Sequence, residues 1–157
     1  MQHTVFSSSS LQMDVMIEIH SVSGQINIEV LRVQVEPSSE FGAMLWKVAV
    51  RTENLSGQHD EIYIMPTDYK RFLQELITLE QVRQGTASLT SASPEDLQLT
   101  FQSLDRSGHF MLEGQLGHYT YVGERLCIQK LIFAFDFDPS SLPQLVRQFS
   151  AFPELRL

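Results

Sequence analysis

A strand that runs into a proline and then into a short amphipathic helix occurs twice in this chain, and that repetition constrains the fold more than any other feature. The first copy, Ile62 to Leu76, reads IYIMPTDYKRFLQEL, and the second, Phe135 to Phe149, reads FDFDPSSLPQLVRQF. Aligned without a gap they pair Ile62 with Phe135, Ile64 with Phe137, Pro66 with Pro139, Phe72 with Leu145 and Leu76 with Phe149. Apolar residues at every second position fit a strand with one face on a core. Pro66 and Pro139 lack the amide hydrogen that a ladder needs, and the hydroxyls of Thr67 and Ser140 are placed to cap a first helical turn. The apolar spacing then changes to three and four. Tyr69, Phe72, Leu73, Leu76 and Leu79 make one helical stripe, and Leu142, Leu145, Val146 and Phe149 make the other. The first helix is expected to end near Gln84, with Gly85 as the left-handed residue beyond it.

The remaining alternation supplies the other strands. Met13 to Ile19, Ile26 to Val35, Trp46 to Val50, Ala87 to Leu89 and Leu97 to Phe101 each read as one. The apolar parity changes between Val30 and Leu31, which predicts a bulge there. It also changes between Leu116 and Tyr119 and between Ile128 and Leu131, and there a bent seventh strand and a shifted eighth strand are expected. Asn54 to His59 is read as a turn, with Asp60 and Glu61 at a hydrated hairpin tip. The offset that carries Ile62 onto Phe135 also carries Ile26 onto Leu99 and Ile28 onto Phe101. The expected architecture is therefore α+β: about eight mainly antiparallel strands and two helices, arranged as a pseudo-duplicated ββββα unit. Residues 1–10 are expected to form a mobile arm. Residues 11–157 are expected to form one domain built from similar halves, 11–84 and 86–151.

With 157 residues the chain can bury a self-sufficient core. Its lone Cys127 lies in an apolar strand and reads as a reduced, buried thiol, which together with the lack of a leader or a membrane-spanning run points to the cytoplasm. A net charge of -8 opposes nucleic-acid binding and favours a basic protein partner.

No metal-ligand spacing links His3, His20, His59, His109 and His118, and no phosphate loop or nucleophile elbow is present, so neither a metal nor a cofactor is expected. Asp136 and Asp138, two apart, invite a hydrolase reading with His109, although a solvent-facing strand accounts for them more simply. Trp46, Tyr119 and Tyr121 are candidates to line a small-ligand pocket between sheet and helices. Glu113 and Glu124 join Asp136 and Asp138 as candidate acidic contacts for a partner.

Trp46-Lys47-Val48-Ala49-Val50-Arg51, the helix Phe72 to Leu79, Gly85-Thr86-Ala87-Ser88-Leu89, Gly108-His109, Gly114 and Leu131 to Pro139 with Leu142 form a pattern that resembles a bacterial family of WapI-type immunity proteins. These are small antidotes encoded beside contact-dependent toxins. The resemblance implies an immunity protein, and the net charge and the lack of a catalytic constellation place a non-enzymatic protein with a basic protein partner ahead of a ligand-binding module and of a hydrolase built on Asp136, Asp138 and His109.

Overall fold

The alternating stretches become eight strands: β1 (Ser10–His20), β2 (Gly24–Gln34), β3 (Met44–Thr52), β4 (Ser56–Ile64), β5 (Thr86–Thr90), β6 (Leu97–Ser103), β7 (Phe110–Val122) and β8 (Arg125–Phe137). Helix α1 (Pro66–Val82) follows β4, and a single 3-10 turn, Pro139–Ser141, leads from β8 into α2 (Leu142–Ser150). This computed structural model describes residues 10–34 and 43–151; the expected arm up to residue 9 and the loop from Pro37 to Gly42 lie outside the described residues. Strands pair in sequence order and antiparallel, as two four-stranded sheets, β1-β2-β3-β4 and β5-β6-β7-β8. The class is α+β, and the order ββββα occurs twice, as the repeated element predicts.

The inner residues of both sheets and the apolar stripes of both helices join a single buried cluster. Its centre is aromatic. The ring of Phe72 stands perpendicular to that of Phe149, with centroids 5.2 Å apart, and Phe101 meets Phe137 edge-on at 5.3 Å. Fully buried Trp46 packs edge-on against Tyr69, whose hydroxyl donates to the Phe149 carbonyl and ties α1 to α2. Burial pushes the Tyr69 phenol far above its ordinary range. Helix α1 lies along β5, while α2 reaches β1 and α1. Each helix thus packs against the first strand of the sheet it does not follow.

Several local expectations are corrected. Neither Thr67 nor Ser140 caps a helix through its hydroxyl: α1 starts from Met65 with no side-chain cap, relying on Pro66 at its first position. At the second copy the cap is Asp138, which accepts the Ser140 N–H at 2.9 Å. The left-handed residue after α1 is Arg83, at φ 64°, and Gly85 at φ 112° comes two positions later. Arg83 tolerates this conformation because its side chain is held, Nε donating to the Glu80 carbonyl at 2.7 Å and Nη1 to the Pro139 carbonyl at 3.1 Å. His59, Asp60 and Glu61 are not a hairpin tip but part of β4; the turn is residues 53–55, closed by the Thr52 N–H on the Leu55 carbonyl at 2.7 Å.

The parity changes have two different outcomes. In β2 the change is a bulge, between Val30 and Arg32 in the ladder to β3. Between β7 and β8 the ladder runs without a shift from Phe110 opposite Phe137 to Val122 opposite Arg125, so the apolar residues there change face instead. The β6 ladder ends at Leu97 opposite Leu116, and beyond it the hairpin continues as a two-stranded arm. The repeat also slips. Trp46 lies between Val30 and Ile62, and Leu112 lies between Phe101 and Phe135, so the ladders match Val30, not Ile28, to Phe101. A slip of two residues preserves the face that points inward.

Candidate protein-binding face

Along β7 and β8 the inner positions are taken by Phe110, Leu112 and Leu116 with Phe137, Phe135 and Leu131 opposite them. Alternation then assigns Glu113, Tyr119 and Tyr121 of β7, and Leu126, Ile128, Lys130, Ile132 and Asp136 of β8, to the outer face. Tyr119 lies opposite Ile128, and Tyr121 opposite Leu126. Tyr121 is 71% exposed, Ile132 72%, and Leu126 and Ile128 each 48%. Directly opposed aromatic and branched side chains support each other across a ladder, so this surface is held in place while still reachable.

Charge frames the strip. Glu113 and Asp136 occupy its end nearest the β6–β7 turn, with the Glu113 carboxylate accepting from Gln102 Nε2 at 3.2 Å. Lys130, between Ile128 and Ile132, is paired with Glu95. Glu124 stands at the tip, in the two-residue turn that Gly123, at φ 64°, makes possible. The base of the arm is fixed from several directions. The Gly117 N–H donates to the Asp96 carbonyl at 3.0 Å, and a Cβ at Gly117 would collide with the Glu95 carbonyl. The His118 ring meets the His59 ring edge-on at 5.1 Å, and His59 Nε2 lies 3.5 Å from Asp96 Oδ1. The Glu61 N–H donates to His59 Nδ1, so the ring proton sits on Nε2, facing Asp96.

Five of the residues singled out from sequence, Glu113, Tyr119, Tyr121, Glu124 and Asp136, are therefore brought together on one hairpin. Trp46 is not among them: it belongs to the core between Tyr69 and Phe149. Nor does a sheet–helix pocket use the aromatic trio. The groove between β1 and α2, about 320 Å³, is lined by Met16, Glu18, Ile19, Phe137, Leu145 and Gln148, among others.

His109, Asp136 and Asp138 do share a cavity, of about 750 Å³, with His20, Val22 and Phe137. Two of its three carboxylates, Asp105 and Asp138, are occupied with local structure. The His109 ring, hydrogen-bonded to Asp105 at 2.7 Å, holds that carboxyl below its usual range, and the Ser140 N–H does the same for Asp138. A proton donor needs the opposite shift, so neither is tuned as a general acid. Among the described residues no three His, Cys, Asp or Glu side chains gather as metal ligands, and no helix is long and apolar enough to cross a membrane. Cys127, expected to be buried, is only partly so, because it lies on the arm. Sequence reading passed over Leu126, Ile128 and Ile132 as contact residues; the signal was the parity change, taken for a shift in the strand.

A model of the immunity protein WapI-like family matches residues 16–152. No curated protein and no solved structure matches the chain.

Proposed function

The chain belongs to the WapI-like immunity protein family, and on that premise we propose that it neutralises a toxin in the cytoplasm by docking the outer face of β7 and β8 onto a basic surface of that toxin. The observation that carries this reading is the exposed strip of Tyr121, Leu126, Ile128 and Ile132, with Tyr119 beside it, on one continuous antiparallel hairpin. Exposed apolar surface is costly unless a partner covers it, and a tyrosine-centred patch with a charged rim is the composition of a binding hot spot. The rim of Glu113, Asp136 and Glu124, on a chain of net charge -8, selects a positively charged partner and speeds encounter with it. The apolar centre supplies the lifetime of the complex, and the carboxylates supply its salt sensitivity.

The test is co-expression with the proposed partner, a toxin domain sought in the reading frames next to the gene. Wild-type protein should restore growth, and the Tyr121→Ala/Ile128→Ala variant should fail to do so while remaining folded. Glu113→Gln/Asp136→Asn should slow association and flatten its dependence on salt. Full protection by both variants would remove this face from the mechanism.

A further inference from the structure

The edge strands β1, β4, β5 and β8 each pair with one neighbour; α1 lies along β5, α2 meets part of β1, and the Tyr63 carbonyl near the end of β4 accepts the Ala92 N–H at 2.8 Å. Strand β8 pairs with β7 alone. Its 13 residues contain no proline and its ladder contains no bulge, two of the devices that keep an edge from recruiting another strand; its basic edge charges are Arg125 and Lys130. Toward Phe137 this edge runs into the grooves walled by His20, Ser141 and Gln144. Toward Arg125 it is the free margin of the arm, where Arg125, Leu126, Ile128, Gln129 and Lys130 are all exposed.

We propose that this margin pairs with the same margin of a second copy, antiparallel about Cys127, so that β7, β8 and their two counterparts form one continuous four-stranded sheet. The register follows from complementarity. Antiparallel pairing keeps like faces together, and a two-fold axis through Cys127 sets Leu126 opposite Ile128 and Glu124 opposite Lys130, each twice. Glu124 makes no ion pair within the described residues, and Lys130 has Glu95 as its neighbour, so the second copy gives Glu124 an opposite charge. An axis through Lys130 instead would oppose two lysines, and an axis nearer Phe137 would drive the second strand into the β1–α2 groove. The outer strips of the two copies become contiguous, so the dimer leaves Tyr121, Leu126, Ile128 and Ile132 facing outward and doubles the width of that strip, with Glu124 engaged by Lys130 and the acidic rim left to Glu113 and Asp136.

The contact is short, which places it among weak interfaces, with a dissociation constant on the order of 10–100 µM. The test needs no toxin, so its failure would leave the proposed docking face standing. Sedimentation equilibrium from about 5 µM to about 1 mM should show a monomer–dimer equilibrium. Glu124→Lys should weaken it about tenfold or more by opposing two lysines, and so should Lys130→Glu; the double exchange Glu124→Lys/Lys130→Glu should restore it. As the only cysteine, Cys127 reports the axis. Opposed Cβ atoms in such a ladder lie about 4.5–5.5 Å apart, near the reach of a disulfide. Diamide, which takes up two hydrogens as two thiols join, should therefore yield a covalent dimer that Cys127→Ser abolishes. A monomer throughout the range overturns the proposal. So does a dimer indifferent to Glu124→Lys, one that the double exchange fails to restore, or one that diamide does not trap.

Discussion

Phe72 and Phe149 are fully buried and meet edge-on at the junction of the two helices, so each contacts both the opposite helix and the aromatic core. Truncating either to Ala removes that contact and leaves a cavity, and should cost about 3–5 kcal/mol in urea unfolding. Asp138 behaves differently, because it is fully exposed and acts only through the Ser140 N–H and hydroxyl. Its carboxyl is lowered in the folded protein, so what it contributes is complete above the unfolded value of about 3.9 and is lost as pH falls through the folded value. The urea midpoint of Asp138→Ala should therefore lie below wild type at neutral pH, and the gap should shrink steadily as the pH drops below about 4. A gap that persists unchanged into acid would assign the effect to something other than the charged cap.

The three parity changes in the sequence show what was legible at the scale of elements and what was not. Alternation in 62–64 and 133–137, the prolines and the helical stripes are local signals, and local sterics alone decide them; strands and helices appear where they were expected. Parity is ambiguous, because a bulge and a change of face leave the same trace. Which one occurs depends on whether a neighbouring strand still offers a core. Beside Val30 it does, and the backbone bulges at Leu31, which the ladder leaves unpaired, to keep Val33 in step with it. Past Leu116 it does not, since β6 has ended, and Tyr119, Tyr121, Leu126 and Ile128 turn outward. The acidic and aromatic members of the proposed binding face were thus visible as residue types, while the aliphatic ones needed the ladder. Arg83 in place of Gly85 was hidden for a similar reason: the Pro139 carbonyl that holds it is 56 positions away. Because the arm's outer side chains pack against no core, Tyr121→Ala and Ile128→Ala should each change stability by no more than about 0.5 kcal/mol. Gly117→Ala, which forces a methyl against the Glu95 carbonyl, should destabilise the arm's base clearly.

At the scale of the whole molecule, the exchange of helices determines how the halves behave. Because α1 packs on β5 and α2 on β1, neither four-stranded sheet keeps its helical cover if the other unfolds. The two ββββα units should accordingly melt in one transition, and Leu76→Ala in the first and Leu145→Ala in the second should shift that same transition. Two separable transitions would mean that the halves are independent domains. The arm is tied to the rest of the molecule at its base, through Asp96 and His59, and the proposed function rests on its outer face. The most direct measurement is the affinity of the purified protein for the proposed toxin partner by titration calorimetry, compared between wild type and Tyr121→Ala/Ile128→Ala, with melting curves of both. The expected result is a loss of affinity of about 100-fold or more with the melting temperature unchanged. Equal affinity in the two proteins would contradict the account.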